Sequence, residues 1–138
     1  MSSGNIHVED PEIIRECIKS TISSIERYKE EVITDIHLYD ETIDLCEESR
    51  TFLLMRCNEL QEARNSSGNY SETFNSAIES EETNCTHMLV TLTKGIERIE
   101  SGKRDAVGSL ADIETLLETA KGLQKRVEAF LSTLDDIR

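Results

Sequence analysis

Apolar residues recur at alternating intervals of three and four positions between residues 12 and 67. This spacing aligns apolar side chains on one face of an α-helix and is typical of the seam of a coiled coil. A helix start is predicted at Asp10-Pro11-Glu12, because Asp caps free amide groups, Pro fits the first helical position and Glu suits the positive end of the helix dipole. We therefore predict a helix over residues 10–65. Its seam contains Ile18, Ile22, Ile25, Val32, Ile36, Tyr39, Ile43, Cys46, Leu53, Cys57 and Leu60, with Lys29 and Arg50 as polar interruptions.

A polar segment over residues 65–70, NSSGNY, separates this pattern from a second one. Gly68 suits the left-handed conformation that ends many helices, and Asn69 with Glu72 has the spacing of a capping box. These signals predict a turn over 65–70 and a second helix over 71–138. The seam of the second helix contains Phe74, Ile78, Cys85, Met88, Leu92, Ile99, Ala106, Leu110, Ile113, Leu117, Ala120, Val127, Leu131 and Leu134.

Glycines weaken the second helix, because each costs about 1 kcal/mol of helix propensity relative to Ala. A break over residues 101–105, SGKRD, is an alternative that would give a three-helix arrangement. The seam keeps its phase through this segment, so a continuous or slightly bent helix is predicted. Each glycine either lets a large residue of the other helix approach closely or is only a weak point of the helix. The glycines within this helix are Gly95, Gly102, Gly108 and Gly122.

Charged residues occur in blocks that favour antiparallel pairing of the two helices. Residues 30–49 contain eight acids and neither Lys nor Arg, whereas residues 86–105 contain four basic residues. Folding the chain at 67–68 brings these two blocks together and places Gly95 opposite the region of Tyr39. The predicted fold class is therefore all-α, an elongated antiparallel helical hairpin of coiled-coil type.

The hairpin is predicted to form a single domain over residues 10–138, preceded by a flexible polar segment over residues 1–9. Two long helices that lie side by side bury only one stripe each, so a lone hairpin has an unfavourable ratio of surface to volume. We therefore expect the hairpin to complete a multi-helix bundle with another chain.

One row of apolar residues lies away from the predicted seam. Leu38, Leu45 and Phe52 are seven positions apart, and at ~100° per residue they lie roughly 130° from the centre of the seam. We predict that this row binds a second copy, a different chain or the far part of the second helix if that helix bends back. The C-terminal end of the second helix is a further candidate, because in the predicted register it extends past Asp10 without intramolecular cover. This C-terminal run contains Val127, Phe130, Leu131, Leu134 and Ile137.

The charge balance limits the classes of partner. Of the 138 residues, 28 are acidic and 15 are basic, which gives a net charge of -13. Such a chain is a poor match for nucleic-acid phosphates, so direct nucleic-acid binding is not expected. The apolar runs are only a few residues long, so membrane insertion is not expected either. The sequence does not open with a secretory signal, and an intracellular location is predicted, cytoplasmic with a nuclear one possible.

The sequence does not bring together residues for catalysis or metal binding. The four cysteines form no CxxC pair, so we predict that they are reduced and free of metal. The three histidines, His7, His37 and His87, are isolated, and neither a Ser/His/Asp arrangement nor a phosphate-binding loop occurs. No catalytic residue, cofactor site or metal ligand is therefore assigned, and the chain is not expected to be an enzyme.

These features predict a non-catalytic coiled-coil interaction or scaffold subunit of an intracellular multi-protein complex. Small acidic hairpins of this kind are typical of cytoskeletal, kinetochore-like and membrane-trafficking assemblies, an analogy of architecture. The expected partners are other helical chains, in a hetero-oligomer or a homodimer. The alternative is an acidic regulatory module that uses residues 30–49 to dock a basic partner or to mimic nucleic acid.

Overall fold

A computed structural model describes residues 10–66 and 71–137, and nearly all of these residues are helical. Helix α1 spans Pro11–Ser66 and helix α2 spans Glu72–Ile137. The described residues contain no strand, so the predicted all-α fold class is confirmed. The segment 1–9, predicted to be flexible, lies outside the described residues, as do residues 67–70 of the predicted turn.

Both helices begin at capping side chains. The side chain of Asp10 accepts a hydrogen bond from the backbone N–H group of Glu12. The backbone carbonyl group of Asp10 accepts a second one from the N–H group of Ile13. Ser71 accepts a hydrogen bond of 3.3 Å from the N–H group of Phe74, and therefore caps α2 in the manner of an N-cap residue. The helix α2 continues through 101–105 without interruption.

Contacts divide the chain into two compact units. The first unit comprises Met1–Asp35 with Ala106–Arg138, and the second comprises Ile36–Asp105. Each unit contains a part of α1 and a part of α2. The ion pairs within each unit, given below, show that these two parts run antiparallel.

In the first unit, the seams of the two helix segments form a narrow core. Charged residues bridge the helices at its edge. Arg15 Nε lies 3.0 Å from Glu128 Oε1, and Lys29 Nζ lies 4.0 Å from Glu114 Oε1. Because residue numbers increase along one helix while their partners decrease along the other, the pairing is antiparallel. The buried apolar residues of this unit are Ile22, Val32, Ile113, Leu117 and Leu131.

The second unit contains both helix ends that flank residues 67–70. Lys103 Nζ lies 2.6 Å from Asp40 Oδ1, and Arg64 Nη1 lies 2.9 Å from Glu82 Oε2. Gly102 lies against the ring of Tyr39, where a Cβ atom would be 3.2 Å from Cε1. These three contacts define the antiparallel register of this unit. Its buried apolar residues are Leu60, Ile78, Cys85 and Ile96.

The register predicted from the charge blocks is wrong by about one heptad. The prediction placed residue 95 opposite Asp40, but Asp40 pairs with Lys103. It placed residue 120 opposite Arg15, but Arg15 pairs with Glu128. Both ion pairs are displaced by eight positions, close to the seven that keep both apolar seams in contact, and charge blocks of about 20 residues are too broad to exclude such a shift. Consequently Gly102, and not Gly95, faces Tyr39.

The predicted seam of α1 agrees with the structure, because every one of its residues is buried or half-buried. The seam of α2 differs from the prediction at three places. Met88 is exposed, and the neighbouring Leu89 is half-buried in its place. Ile96, which the predicted seam omitted, is among the most buried residues at 3% exposure. Phe74, at the first turn of α2, is 41% exposed.

Candidate interaction surfaces

Helix α1 carries a row of exposed apolar side chains in the second unit. Leu38, Leu45 and Phe52, here called the α1 row, are between 55% and 69% exposed. Their spacing of seven residues places them on nearly the same face of the helix, as the sequence predicts. The structure thus shows an exposed row at the expected position, and what covers it in the cell stays a prediction.

Acidic and hydroxyl side chains flank the α1 row. Glu41 lies one turn from both Leu38 and Leu45, and Glu48 lies one turn from both Leu45 and Phe52. Both carboxylates are on exposed residues, and neither forms an ion pair with the rest of the described chain. The α1 row is therefore an apolar line with two carboxylates along one side.

The C-terminal run does not form one exposed surface. Phe130 and Ile137 are exposed, whereas Val127 and Leu134 are half-buried. Leu131 is only 1% exposed, which makes it the most buried residue of the core. The expectation that this run has no intramolecular cover is therefore wrong for Leu131. The cause is the register, which places Glu128 level with Arg15 and so gives this part of α2 a partner segment on α1.

A second exposed row lies on α2 in the first unit. Leu116, Leu123, Phe130 and Ile137, here called the α2 row, are between 47% and 76% exposed. Our sequence reasoning identified two of these residues but not the row. The signal was present in the sequence, since the four residues are seven positions apart. It was obscured because two of them, Leu116 and Phe130, directly precede seam residues and look like part of a broad seam.

The α2 row carries a different flank from the α1 row. Thr119, Arg126 and Thr133 alternate with its members at intervals of three and four residues. Arg126 lies one turn from both Leu123 and Phe130 and is exposed. The α2 row is thus an apolar line with a cation at its middle.

The cysteines differ in burial. Cys17 is exposed, Cys46 and Cys57 are half-buried, and Cys85 is buried. Burial raises the pKa of the Cys57 thiol, and the neighbouring Cys85 thiol raises it further. A raised pKa lowers the fraction of reactive thiolate at neutral pH. The described residues contain no group of three or more His, Cys, Asp or Glu residues that could hold a metal ion.

A polar cluster lies close to Cys57. Glu82 Oε2 accepts a hydrogen bond of 2.9 Å from Arg64, while Glu82 Oε1 is buried without a hydrogen-bond partner among the described residues. The nearby Glu82 carboxylate also raises the pKa of Cys57. Glu82 and Cys85 therefore act on the pKa of Cys57 in the same direction as burial.

The two residues of the Cys85-Thr86-His87 segment that could bind metal or act in catalysis differ in exposure. One groove in the second unit is lined by Glu82, Thr83, Thr86, His87 and Val90. His87 is exposed there, whereas Cys85, two residues earlier in the chain, is buried, so the two side chains lie in different environments.

Among the described helices, none has a stretch long and apolar enough to cross a membrane.

Comparisons with known proteins give no relative from which a function could be inferred. No family model matches the chain, and neither the curated proteins nor the solved structures contain a significant match. A functional hypothesis must therefore rest on the surfaces of the chain itself.

Proposed function

We propose that this protein is a non-catalytic interaction subunit that packs against other helices in an intracellular multi-protein assembly of coiled-coil type. The observation that carries the proposal is the α1 row, whose three large apolar side chains are more than half exposed at heptad spacing. Scattered exposed apolar residues are ordinary on protein surfaces. A row at this spacing is the pattern by which one helix contacts another.

The narrow cores of the two units support the same proposal. Among the described residues, each unit fully buries only four or five apolar side chains between its two helix segments. Helices that pack on one side only leave most of their surface in water, and further helices increase the fraction that is buried. The partners in this proposal are other helical chains, in a hetero-oligomer or a homodimer.

A second candidate function is favoured by Glu41 and Glu48, which line the α1 row without ion-pair partners in the described chain. An acidic surface of this kind can dock a basic partner reversibly. The two candidates differ in their dependence on salt. Apolar packing withstands high ionic strength, whereas contacts between exposed charges are screened.

The proposal is tested by replacing the α1 row with polar residues of good helix propensity: Leu38→Gln, Leu45→Gln and Phe52→Gln. The tagged full chain is expressed at native level, and the proteins that co-purify are quantified. We expect the triple variant to lose those partners, because each buried large side chain contributes roughly 1.5–3 kcal/mol. Circular dichroism should show unchanged helix content, since the seam is untouched.

A matched control removes three exposed apolar residues elsewhere in the second unit: Leu54→Gln, Met88→Gln and Val90→Gln, which are of similar exposure. This control should keep the partners of the wild-type chain. If the α1-row variant retains them as well, the row is ordinary surface and the proposal fails. Release of partners by salt, with little effect of the α1-row variant, would favour the acidic docking module.

A further inference from the structure

We infer that the α1 row of one copy of this chain packs against the α2 row of a second copy. The inference rests on the proposed function and names the partner of the α1 row. Both rows are exposed, at 55% to 69% in α1 and 47% to 76% in α2. Each copy therefore presents two unlike surfaces, one in each unit.

Each row belongs to a second seam, on a helix whose first seam already faces its partner helix. In α1, Thr42 and Ser49 alternate with the row at intervals of four and three residues, and in α2 Thr119, Arg126 and Thr133 do the same. Small hydroxyl side chains between large apolar ones leave holes into which the side chains of a facing helix can fit. A helix with two seams contacts neighbours on two sides, as in a bundle of more than two helices. The two second seams are Leu38, Thr42, Leu45, Ser49 and Phe52 in α1, and Leu116, Thr119, Leu123, Arg126, Phe130, Thr133 and Ile137 in α2.

Charge decides among the three ways in which two copies can pair these rows. Two α1 rows would bring together Glu41 and Glu48 from both copies, and two α2 rows would bring together two copies of Arg126. An α1 row against an α2 row places Arg126 next to a surface with unpaired carboxylates. Like charges across an interface are repulsive and opposite charges are attractive, so the unlike pairing is favoured.

The wider charge distribution agrees with this choice. Residues 36–52 contain five acids and one basic residue, a net charge of -4. Residues 116–137, which the α2 row spans, contain four acids and three basic residues, a net charge of -1. The segment that the α2 row spans is thus less acidic than residues 36–52, and its Arg126 is the charge that favours an approach to the acidic α1 row.

Pairing of unlike surfaces has a consequence for assembly. When the α1 row of one copy binds the α2 row of another, each copy still has one unoccupied row. Such heterologous contacts either close into a ring or continue into chains. The mean mass of the assembly should therefore rise with protein concentration.

The test uses the purified full chain and sedimentation velocity. Two variants each remove one row, Leu38→Gln with Leu45→Gln and Phe52→Gln in α1, and Leu116→Gln with Leu123→Gln and Phe130→Gln in α2. We expect wild type to self-associate and each variant to be monomeric by itself. An equimolar mixture should form a 1:1 complex, because the α1-row variant retains its α2 row and the α2-row variant retains its α1 row.

Charge variants provide a second test that leaves every apolar side chain in place. Arg126→Glu should weaken self-association by at least about tenfold at low salt, because it places like charges across the contact. Mixing this variant with one carrying Glu41→Lys and Glu48→Lys should restore association, since the charges are again opposite. The triple control Leu54→Gln, Met88→Gln and Val90→Gln should behave as wild type.

Several outcomes would overturn the inference. A wild-type chain that is monomeric at about 100 μM, where even micromolar contacts are populated, would exclude a second copy as the partner of the α1 row. The proposed function would then stand if the α1-row variant still loses its co-purifying partners. Self-association that survives in either row variant, or a failure of the mixed variants to pair, would equally exclude this contact.

Discussion

The contact between Gly102 and Tyr39 allows a quantitative prediction about four glycine-to-alanine substitutions in α2. None of the described glycines has a positive φ angle, so each position accepts Ala without backbone strain. An added Cβ atom meets nothing within 4 Å at Gly95, Gly108 or Gly122. Each of these three substitutions should therefore stabilise the protein by roughly 0.8–1.0 kcal/mol, the difference in helix propensity.

Gly102→Ala should behave differently, because the added Cβ would lie 3.2 Å from Cε1 and from Oη of Tyr39 and 3.3 Å from Cζ. Carbon atoms in favourable contact are about 3.5–4.0 Å apart. Overpacking of this kind costs about 1–3 kcal/mol, which offsets or exceeds the gain in propensity. We therefore expect Gly102→Ala to be between neutral and about 2 kcal/mol destabilising after the propensity gain.

The measurement is denaturant unfolding followed by circular dichroism at a concentration where all variants are monomeric. Gly95→Ala is the matched control in the same unit. Combining Gly102→Ala with Tyr39→Leu removes the ring that causes the clash, so in that background Gly102→Ala should be less costly than in wild type. Equal stabilisation of the wild-type chain by Gly102→Ala and Gly95→Ala would contradict this prediction.

Two further predictions concern burial. Alkylation of Cys57 should be slower than that of the exposed Cys17, because burial and the neighbouring Cys85 and Glu82 side chains raise the pKa of the Cys57 thiol. Mass spectrometry at a fixed pH measures both rates, and equal rates would contradict this prediction. Leu131→Ala should cost about 2–5 kcal/mol of unfolding free energy, whereas Phe130→Ala should cost far less, because Phe130 is exposed. Similar losses for these adjacent residues would contradict the assigned burial.

The helices were predictable because the signals for them are local. Pro11 begins α1 as predicted, and α2 begins at Glu72, one residue after the predicted boundary. The seam of α2 was harder to predict where apolar residues are adjacent. Met88 and Leu89 are both apolar, and only the positions of the buried neighbours Cys85 and Ile96 distinguish which of the two faces α1.

The α2 row could also have been found in the sequence from its spacing of seven residues, but the exposure of its side chains could not have been predicted from the sequence. Phe130 and Leu131 are adjacent and both apolar, and the predicted register left both without cover. The structure buries one and exposes the other because they lie about 100° apart around the helix. Which of the two faces the core depends on the seam of α2, and whether a partner segment covers it depends on the register of the helix pair.

The register of the helix pair is determined by a few specific matches rather than by the seams. A seam that repeats every seven residues looks the same after a shift of one heptad, so apolar packing discriminates weakly between such registers. The predicted register would place Tyr39 level with Ile96, two large residues, whereas the observed register gives Tyr39 the space above Gly102. It also lets Lys103 reach Asp40, 2.6 Å away. A small residue opposite a large one and a cation opposite an anion each favour the alignments that provide them, and such matches help to select the native pairing among several that bury similar apolar area.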